Sequence, residues 1–181
     1  MSADTPRVGI RTARLTDERL RYVRQLGVED VFVDPVTRAA VTDPHLGGDE
    51  PEGLLFRQDR PPTAGELRDV RDRIGAAGLR FAGIQTVPGP FYERIALGPG
   101  DATEGIEWYE GLVRSAGAAG VPVVGYQWCP GGVYRTDEAR QIRGGATATA
   151  YDHDEFEDRA VADAPDEATM WDRYEAFLEA I

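Results

Sequence analysis

No lysine occurs in these 181 residues: the positive charge rests on 20 arginines, set against 17 aspartates and 15 glutamates for a net charge of −12. That absence excludes a Schiff-base lysine and a phosphate-loop lysine from any mechanism run by this chain. Serine is almost as scarce, with Ser2 and Ser115 alone, the latter inside a predicted helix, so no Ser-His-Asp arrangement can be built. A single cysteine, Cys129, forbids an internal disulfide and agrees with a reducing compartment. Long apolar runs are missing too. No segment approaches the ~20 residues of a membrane helix, and Met1 to Thr5 carry no basic run leading into an apolar stretch. A cytoplasmic protein without a membrane partner is expected. Nucleic acid is an equally poor partner, because phosphate backbones need a positive footprint. An acidic, lysine-free surface suits a salt-rich cytoplasm, where screening suppresses carboxylate repulsion.

What is present is a repeat. Three amphipathic stripes, Leu20-Val23-Leu26, Leu67-Val70-Ile74-Ala77 and Ile106-Tyr109-Leu112-Val113-Ala116, recur at helical spacing. Each runs into a glycine, Gly27, Gly78 or Gly120, followed at once by a short apolar strand. Glycine just past a helix takes the left-handed conformation that closes the last turn. Thr16 is placed to cap the first helix, and Thr63 with Glu66 forms a capping box for the second. The strands read as Val8–Ile10, Val31–Val33, Leu79–Ile84 and Val121–Tyr126, apolar on both sides as covered parallel strands are. Strand and helix alternating in this way predict an α/β fold with a parallel sheet, either a (β/α) barrel or an open doubly wound sheet. No Gly-x-Gly-x-x-Gly follows the first strand, which removes support for dinucleotide binding.

A fourth helix is expected from about Asp166, with Trp171-Tyr174-Leu178-Ile181 on one face. Four βα units are about half of a complete barrel of ~250 residues. The expectation is therefore one domain over residues 1–181, the amino-terminal half of a (β/α)8 TIM barrel cut before strand five. The alternative is a small four-stranded protein whose last helix simply ends. Half a barrel would leave open sheet edges, so a homo-oligomer or a pairing of half-barrels is expected. Long loops interrupt the repeat at Asp34 to Pro62 and at Gly144 to Asp163, the second with an extended piece at Ala146–Tyr151.

In such folds the carboxyl ends of the strands form the working face. Here they present Arg11, Asp34, Gln85 with Thr86, and Gln127 with Trp128. Arg135 is suited to grip a carboxylate or phosphate, and Trp128 or Tyr134 to wall a sugar-sized space. Equally, Arg135 could pair with Asp137 or a backbone carbonyl, with the aromatics only closing the mouth of the fold. The candidate substrate-binding set is Asp34, Gln85, Tyr126, Gln127, Trp128 and Arg135. Cys129 is read as a small loop residue. His153 in its acidic run and His45 in the proline-rich loop are read as solvated.

Pro88-Gly89-Pro90-Phe91-Tyr92-Glu93-Arg94-Ile95-Ala96-Leu97-Gly98, Gly125-Tyr126-Gln127-Trp128-Cys129-Pro130, Tyr134-Arg135-Thr136-Asp137 and Met170 to Leu178 occur in an order and spacing that resembles the mannonate dehydratases. The resemblance runs from about Thr63 to Ile181. It implies the barrel shared with xylose-isomerase-like sugar isomerases and epimerases. It also implies a metal-dependent lyase of hexuronate breakdown that removes water from D-mannonate to give 2-keto-3-deoxy-D-gluconate, using Mn²⁺ or Fe²⁺. The chain departs from the family pattern at Ala96, where the family has lysine. It departs again at Tyr126-Gln127-Trp128-Cys129-Pro130, against Tyr-Asn-Phe-Met-Pro, and at Val133-Tyr134, against Asp-Trp. The family's His-Pro-Asp-Asp segment and its later Cys and His ligands have no counterpart in this chain, so no metal ligand is assigned here. A small sugar acid is the implied partner. The alternatives are a sugar isomerase or epimerase of the same superfamily, or a truncated, non-catalytic product.

Overall fold

Thr16 accepts the backbone N–H of Arg19 at 2.9 Å and so starts α1 (Asp17–Gln25). Thr63 and Glu66 form the reciprocal capping box that starts α2 (Ala64–Ala76). Asp166 accepts the N–H of Thr169 at 2.8 Å at the start of α5 (Glu167–Ala180). Gly27, Gly78 and Gly120 all sit at positive φ, between 73° and 78°, where a side chain would be strained. The chain therefore turns where the sequence pattern requires. The computed structural model describes residues 6–34, 36–37, 55–56, 60–85, 87, 90–98, 102–129, 134–156 and 165–181. Most of the proline-rich loop with His45, and also Thr86, Pro130–Val133 and the end of the acidic run, lie outside the described residues.

The element order is β1 (Gly9–Thr12), α1, β2 (Asp30–Val33), β3 (Val36–Thr37), β4 (Leu55–Phe56), α2, β5 (Arg80–Ile84), α3 (Pro90–Ala96), α4 (Thr103–Ala119), β6 (Asp137–Gln141), β7 (Thr147–Ala150) and α5. Strands β1, β2 and β5 form one parallel sheet in that order. The fold is α/β with parallel pairing in its central sheet. The fourth strand expected over Val121–Tyr126 is reduced to a single parallel bridge, Ile84 to Val124. Two hydrogen bonds hold it, Ile84 N–H to Val123 O at 2.9 Å and Gly125 N–H to Ile84 O at 2.8 Å. Pro122 has no N–H to donate, and the segment has a strand on one side alone among the described residues. Two further pairs stand apart from this sheet: the two-residue parallel pair β3–β4 and the antiparallel hairpin β6–β7.

Alternation along the strands sorts the sheet into two faces. Val31, Val33, Phe81 and Ile84 point toward the helices, where Leu20, Val23, Leu67, Ile74, Leu112 and Ala116 bury them. Each such side chain contributes roughly 1.5–3 kcal/mol on burial. Gly9, Arg11, Phe32 and Gly83 lie on the opposite face, in register across β1, β2 and β5. An extra residue, Ala82, lets β5 shift register without exchanging these faces. At the amino end of the sheet Asp30 is buried. Arg80 holds both of its oxygens at 2.7 and 2.6 Å, and Arg7 adds a contact at 3.3 Å.

The helix layer is closed by an aromatic cluster. Phe177 of α5 is fully buried against Tyr109 of α4 and Tyr92 of α3, with ring centroids 5.0 and 6.4 Å away. Among the described residues no helix is long and apolar enough to cross a membrane.

Candidate functional site

The hydrogen-bond ladder carries the polar residues of the strand ends into a row. Asp34 N–H donates to Thr12 O at 3.0 Å and Gln85 N–H donates to Val33 O at 2.9 Å, each one step past the last residue of its strand. Asp34 is two residues beyond Phe32, and Gln85 two beyond Gly83, so both share the face of Arg11 that the helices leave uncovered. Arg11 Nε lies 2.6 Å from Asp34 Oδ2. Burial pushes the Asp34 carboxyl above its ordinary value, and Arg11 opposes this only in part. Gln127, also exposed, follows on the next segment of the sheet.

Gln127 is fixed through its backbone. Its N–H donates to the Tyr92 hydroxyl at 2.8 Å, and Val87 N–H donates to the same oxygen at 3.3 Å. One buried phenol on α3 thus ties together the loops that follow β5 and the bridge segment. Tyr109 donates to Gly125 O at 3.1 Å, and burial holds its phenol far above the ordinary range. This short helix α3 is absent from the periodicity reading. Its available signals were Pro90 at the first helical position and the spacing Tyr92-Ile95-Ala96.

Tyr126 and Trp128 flank Gln127 and turn the other way. Trp128 stacks on Phe177 at 5.5 Å and packs against Tyr174 at 5.0 Å, while the Tyr126 and Tyr174 hydroxyls meet at 2.7 Å. Both rings attach the loop to α5, and their packing is on the helix side of the row. Tyr126 keeps 40% of its surface exposed, so it still borders solvent. Cys129 is exposed, its sulfur 3.5 Å from the Gln127 amide nitrogen.

The segment Tyr134 to Asp137 opens the hairpin β6–β7. Thr136 accepts Asp152 N–H at 2.9 Å, and its own N–H donates to Ala150 O at 2.9 Å. Asp137 accepts Ala139 N–H at 2.8 Å. Arg140 gathers Asp137, Asp152 and Glu155, and Phe156 packs on both Tyr134 and Tyr151. Thr136 and Asp137 are therefore occupied in holding the hairpin. Arg135 is exposed and donates to the carbonyl of Tyr134 at 2.8 Å. His153 Nδ1 lies 3.4 Å from the Tyr151 hydroxyl.

Asp34, Gln85 and Gln127 are brought to one end of the sheet, whereas Tyr126 and Trp128 are packed behind them and Arg135 stands on the hairpin. Among the described residues no three His, Cys, Asp or Glu side chains converge as a metal-binding group. The donors among the described residues do not fit a divalent ion, for which Asp34 offers one carboxylate already facing a cation.

A parallel sheet backed by helices, with polar side chains collected at the carboxyl ends of its strands, defines an α/β protein of the kind that takes small molecules at that end. Residues 18–180 match the family model for D-mannonate dehydratase (UxuA). The chain belongs to the D-mannonate dehydratase family. The mannonate dehydratase of Chromohalobacter salexigens is 33% identical over 116 residues, which are 60% of this chain and 29% of that protein. That of Streptococcus pneumoniae is 32% identical over 88 residues, 47% of this chain and 23% of that protein. The crystal structure of mannonate dehydratase from Streptococcus suis serotype 2 superimposes with a TM-score of 0.72 at 20% identity, over 99% of this chain and 48% of that one. This last likeness shows the fold. The chain spans less than a third of the two sequence relatives and about half of the solved chain.

Proposed function

We propose that this chain supplies a substrate-positioning part of a sugar-acid dehydratase that converts D-mannonate to 2-keto-3-deoxy-D-gluconate and water. The observation that carries this reading is the family match over residues 18–180, with the row of Asp34, Gln85 and Gln127 supplying groups suited to hydroxyls. The parallel strands β1, β2 and β5, side by side in chain order, support a place in a (β/α)8 barrel, and the acidic composition supports a salt-rich cytoplasm.

The reaction breaks the C–H bond α to the carboxylate and the neighbouring C–O bond. The proton and hydroxyl leave as water, and the resulting enol relaxes to the keto acid. Carboxylate and amide side chains contribute by fixing the hydroxyls so that these two bonds are aligned. Arg135, with most of its guanidinium free of the Tyr134 carbonyl, is suited to the sugar-acid carboxylate. Trp128 and Tyr126 hold the Gln127 segment from behind by packing on α5. The resemblance implies Mn²⁺ or Fe²⁺, but the described residues do not fit such an ion, so no step is assigned to it.

The test is an NMR titration of the purified chain with D-mannonate, followed by mass spectrometry for the keto acid with and without Mn²⁺. Binding at millimolar concentration without turnover is expected. No binding of any aldonate would sink the reading, and turnover with Mn²⁺ would show that the chain holds the metal through residues other than the described donors.

A further inference from the structure

Two carboxylates at opposite ends of the same strand differ in one respect. Asp30, at the amino end of β2, has both oxygens taken, by Arg80 on each and by Arg7 on Oδ2. Asp34, just past the carboxyl end, has one. Its Oδ2 faces Arg11 Nε at 2.6 Å, while Oδ1 is buried and, among the described residues, has no hydrogen-bond partner.

Buried polar atoms in folded proteins are hydrogen-bonded in the great majority of cases, and an orphaned one costs more than a bond that was never made. A carboxylate kept solely to hold the fold would have its lone pairs occupied, as Asp30 does. The surroundings of Asp34 leave room for something else. Its neighbour across the ladder is Gln85, whose N–H bonds to Val33 O at 2.9 Å just past the strand end. Gln85 is exposed, and on the other side the Arg11 side chain keeps 65% of its surface in solvent.

An ionised carboxylate has no hydrogen to give, so the missing partner must be a donor. A substrate carboxylate is excluded at this atom. We propose that Asp34 Oδ1 accepts a hydroxyl from the polyhydroxy chain of a sugar acid, with Arg11 holding the carboxylate in the orientation that presents this oxygen. The assignment rests on the sugar-acid reading of the strand ends and adds to it which atom selects for a hydroxyl. Desolvation of Asp34 agrees with a site that is completed by a ligand donor.

The experiment titrates the wild-type chain and Asp34→Asn by NMR with D-mannonate and with its monodeoxy analogues, each lacking one hydroxyl. Arg11 will hold the amide oxygen of the variant and leave its NH₂ where Oδ1 stood. Circular dichroism checks that the variant folds. In the wild type one analogue is expected to bind at least about tenfold more weakly than D-mannonate, as a hydrogen bond to a charged group implies. In Asp34→Asn, whose NH₂ can at most donate a neutral hydrogen bond to the oxygen of the same hydroxyl, that preference should shrink to about threefold or less. If the variant keeps the wild-type preference, or keeps its full affinity for D-mannonate, the role of Asp34 is overturned while the sugar-acid reading stands. If the wild type binds no aldonate at all, both fall together.

Discussion

The Tyr92 hydroxyl accepts the backbone N–H of Gln127 at 2.8 Å, across 35 residues of sequence. With Val87 N–H on the same oxygen, this phenol is the common support of two loops at the strand ends. Tyr92→Phe keeps the ring in its buried place and removes only the hydroxyl. The expected loss is about 1–3 kcal/mol of stability, since the Gln127 and Val87 N–H groups lose their bonds to this hydroxyl. Denaturant unfolding measures it. Sugar-acid binding should weaken as well, because Gln127 is no longer fixed.

Two carboxyls should respond to pH with opposite signs. Glu66 is held down at about 2, first by the Arg60 guanidinium and then by Thr63 N–H. Its folded value is below its unfolded one, so its contribution is present above about pH 4.5 and is lost as pH falls toward 2. With the side chain 45% exposed, solvent screening limits this to about 1 kcal/mol. Asp34 is shifted upward by burial, so its contribution is present below its unfolded value and is lost as pH rises through the folded one. Wild type minus Glu66→Gln should therefore gain stability with rising pH, and wild type minus Asp34→Asn should lose it. Chemical denaturation across pH 2 to 7 separates the two, and equal slopes would refute the assignment.

Helix punctuation was the most legible part of the sequence. Thr16, Thr63 with Glu66, and Asp166 cap through their own side chains, and three glycines close helices at positive φ, because these effects act within a few residues. The row Asp34, Gln85, Gln127 was legible for the same reason, since a strand end follows from the repeat. Direction was not. Tyr126, Gln127 and Trp128 are adjacent in sequence, yet the two rings pack onto α5 while the Gln127 amide stays exposed. Nothing in the three letters says which side the distant Phe177 will occupy. The hairpin β6–β7 was half read: the extended piece at Ala146–Tyr151 was expected, but its partner Asp137–Gln141 is charged and mostly exposed, without apolar alternation. The turn at Gly144-Gly145, with φ of 72° and 80°, was the signal that could have revealed it.

Gly125 marks the closest approach of the bridge segment to β5. A Cβ built there would lie 2.0 Å from Gln85 O, a backbone atom that can yield only if the sheet moves. Gly125→Ala should cost about 3 kcal/mol and expose the Gly125 amide that now bonds to Ile84 O. Gly117, inside α4, has nothing within 4 Å of its would-be Cβ, and Gly117→Ala should stabilise by roughly 0.5–1 kcal/mol through helix propensity. Hydrogen exchange at residue 125 and denaturant midpoints distinguish these outcomes. Similar losses from both variants would contradict the close approach.

Phe177 connects the terminal helix to the site. Its ring touches Tyr109 at 5.0 Å, Trp128 at 5.5 Å, Tyr126 at 5.8 Å and Tyr92 at 6.4 Å, and it is fully buried. Phe177→Ala leaves a cavity among four aromatic rings, for an expected cost of about 3–5 kcal/mol. Trp171 on the same helix is 62% exposed, and Trp171→Ala should change stability by no more than about 0.5 kcal/mol. Because Trp128 stacks on Phe177, its emission should shift to the red in Phe177→Ala, reporting release of the loop that carries Gln127. A variant that loses stability with the Trp128 emission unchanged would show that α5 supports the helices without supporting the site.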